Sequence, residues 1–298
     1  MAITSTRLTP VVCRAALVAC AFLAASAAAA TQVLYDANVL PNTNPSAQGW
    51  LGGGFLGISQ TVTPGGTVLA PTGAGTGAFG GYSSHAATVS LFPAFQVGTG
   101  ALVNSAFPVL DRVAGYSLDL GFQVTSERHV NDNRAGFSIT LIGADLMGIE
   151  IGFQSRNLLG NGDVAQAGSI FAQGAGAHLF EAAENSTDPV VLGRLSTYNQ
   201  WHLGVSGNTY TLAQGATSVL SGSLRNYSAY TGFGQDAYRT PNFVFFGDNT
   251  GSANATTGIN YAAITTSVPE PASYGLLLVG LVLVGAAVRR GNSGHVRR

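Results

Sequence analysis

Along most of the chain, apolar residues fall in short runs that alternate with polar ones, and Gly, Asn, Asp and Ser separate the runs. A period of two sends successive side chains to opposite faces of a strand, and turn residues between such runs end one strand and begin the next. Strands are expected at Ser117 to Val124, Ala135 to Ile142, Gly148 to Gln154, Trp201 to Val205, Thr209 to Ala213 and Asn242 to Gly247, with another at Val219 to Leu224. Nothing in this stretch holds a capped helical period over about ten residues. The expectation is therefore an all-β sandwich or barrel, built as one domain over residues 31–266.

The clearest unit is a hairpin. Trp201, Leu203 and Val205 share one face, Gly207-Asn208 supplies the turn, and Thr209 to Leu212 returns. The glycine-rich stretch from Gly49 to Gly81 has no lysine after it and no strand-loop-helix context, so a phosphate-binding loop is excluded and sandwich loops are expected there.

The two ends break the pattern. Arg7 and Arg14 precede an apolar run from Ala15 to Ala25 and a small-residue stretch ending at Ala28-Ala29-Ala30. This is the layout of a secretory signal peptide over residues 1–30, with signal peptidase reading Ala28 and Ala30 and cutting after Ala30. A lipobox at Leu17 to Cys20 is the competing reading, and Arg14 weighs against it by leaving too short an apolar stretch. At the other end, Val268-Pro269-Glu270-Pro271 precedes an apolar run, and residues 272–288 form a candidate transmembrane helix near the lower limit of length. Arg289, Arg290, Arg297 and Arg298 close the chain as a stop that stays cytoplasmic, which places residues 31–271 outside.

Pro269-Glu270-Pro271, the short glycine-punctuated apolar helix and the terminal arginines resemble, in that order, the PEP-CTERM sorting signal of Gram-negative, exopolysaccharide-producing bacteria. The resemblance implies that residues 267–298 are recognised and cleaved by exosortase, a membrane-embedded cysteine protease. The chain would then pass from a form tethered at the inner membrane to the cell surface or extracellular matrix. The prolines suit a cleavage segment, since they forbid helix continuation and strand pairing. In the middle, the Trp201 strand, its hairpin and the Phe-rich strand ending in Gly247-Asp248 resemble the tail of concanavalin A-like or laminin G-like jelly rolls. Leu34-Tyr35-Asp36, Gln48-Gly49-Trp50, Arg134 to Phe137 and Gly148 to Phe153 are similar to choice-of-anchor ectodomains. The fold this implies is a jelly-roll β-sandwich; fold alone does not assign an activity.

Composition narrows the chemistry. Only 9% of residues are charged against 46% hydrophobic, which fits a packed chain. Residues 31–271 hold seven arginines and no lysine against fourteen acids, a formal charge of −7 that repels phosphate backbones and excludes nucleic acid as a partner. Cys13 and Cys20 both lie in the leader, so the mature chain has no disulfide framework, thiolate nucleophile or cysteine metal site.

Polar residues placed by alternation are the remaining candidates. Arg134, Glu150 and Gln154 form a candidate ligand face if their strands are neighbours, with a cross-strand ion pair between Arg134 and Glu150 as the simpler reading. A glycosidase needs two carboxylates about 5 to 10 Å apart. Asp145 and Glu150 have opposite strand parity and do not form the alternating acid motif such enzymes carry on this fold. His85, His129, His178 and His202 show no metal-ligand spacing, and no nucleophile elbow surrounds Ser83 or Ser84. No cofactor is expected. Asp132 and Asp248 sit in two oxygen-rich loops where Ca²⁺ is the one metal considered, against a plain Asx-rich turn. The expected function is a non-catalytic surface protein that binds exopolysaccharide or another biofilm glycan. The alternative is a carbohydrate-active enzyme with an acid pair on the polar sheet face.

Overall fold

The computed structural model describes residues 29–39, 42–55, 57–73, 77–86, 100–155, 168–175, 181–232, 235–267 and 281. Residues Ala30–Ser267 form one compact unit. Its strands pair into two sheets.

The first sheet runs from β13 (Thr217–Ser223) through β12 (Thr209–Gln214), β11 (Asn199–Ser206), β6 (Tyr116–His129), β16 (Ala253–Ser267) and β4 (Gly66–Pro71) to β3 (Ile58–Thr63). β1 (Ala29–Asp36) also pairs with β16. In the second sheet the order is β10 (Ala182–Ser186), β9 (Ile170–Gln173), β8 (Met147–Phe153), β7 (Ser138–Ile142), β15 (Phe243–Asp248), β5 (Phe79–Ser83) and β2 (Leu51–Phe55), with β14 (Arg225–Asn226) on β8. All registers described are antiparallel.

Alternation faces the two sheets toward each other. Leu118, Leu120 and Phe122 of β6 and Trp201 and Leu203 of β11 meet Ile149, Ile151 and Phe153 of β8 in one buried cluster. Trp201 stacks on Phe122 at 5.5 Å and meets Phe153 edge-on at 5.4 Å. A ring from each sheet therefore holds the layers together, and offset and edge-on pairs of this kind are the favoured aromatic geometries. The molecule is an all-β sandwich.

The hairpin forms as the alternation predicts. Ser206 pairs with Thr209, and Gly207 takes a φ of 59° that favours glycine. Other elements differ from expectation. β7 begins at Ser138; just before it, the Phe137 carbonyl accepts from Phe153 N at 2.9 Å and its ring packs 4.6 Å from Phe122. The glycine-rich stretch expected as loops contains β2, β3, β4 and β5. Here glycine permits close approach: a Cβ on Gly80 would lie 2.8 Å from Cβ of Ile58, and one on Gly81 would lie 2.7 Å from the Phe245 ring. β16, between β6 and β4, has no counterpart among the expected strands. Its run is dominated by Ala, Thr and Asn, and Asn260, an extra residue between Ile259 and Tyr261, breaks its alternation.

Among the described residues no helix is long and apolar enough to cross a membrane. The expected leader lies outside the described residues up to Ala28, while Ala30 is the second residue of β1. The expected transmembrane helix 272–288 also lies outside them, except for helical Leu281.

Candidate functional site

Of the three residues read as a ligand face, none is presented to solvent as a face. Glu150 projects from the outer side of β8, and Thr140, not Arg134, stands opposite it in the β7 ladder. A segment after β14 folds over this side, burying Tyr227, Tyr230 and Tyr238 in a second small cluster with Ile142 and Phe243. The Tyr238 hydroxyl donates to Oε2 of Glu150, Thr140 Oγ1 donates to the same oxygen at 3.4 Å, and Asn249 Nδ2 donates to Oε1 at 3.1 Å. Burial pushes the Glu150 carboxyl up, and these hydrogen bonds pull it back. Tyr238 is held well above its usual value by burial and by the adjacent carboxylate.

Arg134 and Gln154 serve the loop between β6 and β7. Arg134 Nη1 donates to the Asn133 carbonyl at 2.8 Å, and burial lowers the guanidinium while the Glu150 charge opposes that shift. Gln154 is 1% exposed; its Nε2 donates to the carbonyls of Asn131 at 3.1 Å and Arg134 at 2.6 Å. From β9, buried Gln173 donates Nε2 to the Asn133 carbonyl at 3.3 Å. Two buried carboxamides thus fix three carbonyls of one loop from below, which turns its side chains outward in a set arrangement.

Above that loop is a cleft of about 590 Å³, lined by Val130, Asn131, Asp132 and Asn133 on one side and Glu181 and Ala182 on the other. The lining has two exposed apolar side chains, Val130 and Ala182, beside the carboxylates of Asp132 and Glu181 and the carboxamides of Asn131 and Asn133. Such groups can hold a polyhydroxylated or amine-bearing ligand. Sequence reading singled out Asp132, in its oxygen-rich loop, and Gln154. It missed Gln173 and Glu181, since nothing local announces that a distant strand will supply the opposite wall.

The two oxygen-rich loops considered for Ca²⁺ do come together. His129 pairs with Ala253, and Val130 N donates to the Ser252 carbonyl at 3.0 Å. Asp132 and Asp248 nevertheless point to different places: Asp132 is exposed in the cleft, whereas Asp248 is 4% exposed and follows Val244 and Phe246 in facing the interior. Among the described residues no group of three or more His, Cys, Asp or Glu side chains converges to hold a metal.

Asp248 instead joins a buried ionisable group. Thr125 is an extra residue in β6, since Val124 pairs with Thr257 and Ser126 with Thr256. Past this bulge the inward positions change parity, which turns Glu127 and His129 inside. His129 Nδ1 lies 2.8 Å from Glu127 Oε2, and Gly136 N donates to Oε1 at 3.3 Å. Burial raises the Glu127 carboxyl against these bonds, and raises Asp248 well above the usual carboxylate range, with the Glu127 charge adding to the effect. His129 Nε2 and Asp248 Oδ2 have no hydrogen-bond partner. The other described histidines are apart: His202 Nδ1 is 2.8 Å from Asp119 Oδ1 on the outer side of the first sheet, and His85 Nδ1 is 2.9 Å from Ser84 Oγ. His178 lies outside the described residues.

The end of the chain carries the remaining candidates. Residues 267–291 match the family model described as the PEP-CTERM protein-sorting motif. The chain carries a PEP-CTERM sorting motif. The match contains Val268, Pro269, Glu270 and Pro271 together with Arg289 and Arg290, while Arg297 and Arg298 lie beyond it; all of these fall outside the described residues. A PEP-CTERM motif marks a chain for exosortase, so the protein is exported, held transiently at a membrane and then surface-associated.

No curated protein matches the chain. Among solved structures, it is similar to a carbohydrate esterase from the Shiga toxin-encoding bacteriophage phi24B, at 12% identity and a TM-score of 0.41 over 80% of this chain and all of that one. A protein of unknown function with a galectin-like fold from Bacillus subtilis aligns at 8% identity and a TM-score of 0.43, over 79% of this chain and 97% of its own. Bacillus licheniformis β-glucanase aligns at 10% identity and a TM-score of 0.40, over 78% and 97%. At these scores the likenesses add nothing to the strand pairing itself.

Proposed function

We propose that this protein is a non-catalytic surface protein of a Gram-negative bacterium, released by exosortase, whose sandwich binds a glycan of the exopolysaccharide or matrix in the cleft beside Asp132. The observation that carries the reading is the sorting motif at residues 267–291. A chain destined for the surface meets glycans first, and the cleft offers what sugar hydroxyls need, namely side-chain acceptors and donors on a loop already held in place. A choice-of-anchor or concanavalin A-like ectodomain is the finer family reading. The non-catalytic part is supported by Glu150, whose carboxylate is closed off by Tyr238, Thr140 and Asn249 and is out of reach of a substrate in this fold.

The test of the sorting half is intact-mass analysis of the protein from wild-type and exosortase-deficient cells. The tail is expected to be missing in the first and present in the second, and an identical C-terminus in both would reject the proposal. For the binding half, retardation on native gels containing the producer's own exopolysaccharide is expected without hydrolysis of it. Hydrolysis abolished by Glu150→Gln would instead establish an enzyme.

A further inference from the structure

We infer that the end of the sandwich where β16 finishes, with Val113 and Val33 at its surface, docks on the lipid bilayer that holds the uncut chain. The docking depends on residues 272–288 being the membrane-held stretch of the tail, and it adds which surface of the sandwich meets the lipid.

β16 ends at Ser267, and the sorting motif begins at that same residue. Only Val268, Pro269, Glu270 and Pro271 separate Ser267 from the apolar stretch that starts at Ala272. Fully extended, the chain from Ser267 to Ala272 spans at most about 18 Å. The headgroup layer takes up about 6 Å of that reach. β6, which pairs along β16, has 14 residues and therefore measures about 43 Å from end to end. The tether is much shorter than the sandwich. However the domain turns on it, the residues around Ser267 stay beside the lipid.

Those residues present apolar side chains to their surroundings. Ser267 N donates to the Gly115 carbonyl at 3.2 Å, and Thr265 Oγ1 lies 2.8 Å from Thr31 Oγ1 of β1. An exposed valine stands two residues from each contact: Val113, 80% exposed, precedes Gly115, and Val33, 46% exposed, follows Thr31. The Val113 tip is held in place. Its N donates to Asp111 Oδ1 at 2.8 Å, Gly115 N donates to the Asp111 carbonyl at 2.9 Å, and Gly207 N of the neighbouring hairpin turn donates to the Arg112 carbonyl at 2.8 Å. Apolar surface held out in water gains by transfer to lipid, and a short tether keeps even a weak contact populated. Charge does not oppose the contact. Arg112 Nε is 2.6 Å from Asp145 Oδ2, so within residues 109–115 only Asp111 keeps an uncompensated charge. The expected cut after Ala30 would place the α-ammonium of Thr31 at the same end. Zwitterionic lipid therefore suffices as the partner.

The experiment uses protein from exosortase-deficient cells, which keeps its tail, reconstituted into phosphatidylcholine vesicles. With the leader removed the chain has no cysteine, so Val113→Cys and Gly251→Cys can each carry one environment-sensitive fluorophore. Gly251 is exposed beside the opposite end of β16. The Val113 probe is expected to shift to the blue and to lose emission to nitroxide quenchers carried on the lipid, and the Gly251 probe to do neither. An unquenched Val113 probe on protein that floats with the vesicles overturns the docking and leaves the anchoring intact. Protein that fails to float with the vesicles overturns both. Equal quenching at the two positions would mean that the sandwich lies flat and has no docking end. A Val113 probe that responds only after exosortase is added would assign this end to the protease instead of the lipid.

Discussion

His129 Nδ1 and Glu127 Oε2 lie 2.8 Å apart with both side chains fully buried, because the bulge at Thr125 turns the end of β6 over. Glu127, with Asp248 and Glu150, makes the interior sensitive to pH. The carboxyls of Glu127, Asp248 and Glu150 are all raised in the folded chain. As pH rises through the ordinary carboxylate range the unfolded chain loses these protons first, so the folded state binds more protons and stability falls with rising pH until the folded carboxyls ionise. His85, lowered by burial, acts oppositely below its ordinary value of 6.5. Urea unfolding at several pH values between about 5 and 8 should give a stability that declines with pH in the wild type and declines less in Asp248→Asn. Parallel slopes in the two proteins would contradict a protonated Asp248.

Tyr238 closes the Glu150 site with one hydroxyl. Tyr238→Phe keeps the ring contacts with Tyr227 and Tyr230, at 5.3 and 5.2 Å, and removes the donor to a buried carboxylate. The expected loss is about 1 to 3 kcal/mol in chemical denaturation. A change near zero would show that Thr140 and Asn249 suffice.

Trp201 joins the sheets through Phe122 and Phe153, and its Nε1 has no hydrogen-bond partner. Trp201→Ala should cost about 3 to 5 kcal/mol by leaving a cavity between the layers. Trp201→Phe keeps an aromatic ring and removes an unpaired buried N–H, so it should cost clearly less. If the two variants unfold at the same denaturant concentration, the ring stack is not what holds this part of the core.

How much was legible followed from how far each feature depends on neighbours. The β11–β12 hairpin, the Phe-rich β15 and the polar positions of β8 could be read because a period of two and a Gly-Asn turn are local signals. β16 could not, since its small residues and the extra residue Asn260 hide the alternation, and it is ordered by pairing with β6 on one side and β4 on the other. Glu127 was invisible for the same reason: only a register shift against β16 turns it inward.

By itself, then, the order of residues determined the sandwich class, the sorting motif and the acidic, cysteine-free character of the middle, all of which are periodicities, short motifs or counts. The tertiary structure decided which polar residues are sealed and which are open. It buried Glu150 beneath a tyrosine segment nearly ninety residues away in the chain, as the Tyr238 bond shows. It also built a cleft from Asp132 and Glu181, which sit on segments with no local relation. Burial and convergence are properties of strands brought together from far apart, and no local pattern encodes them.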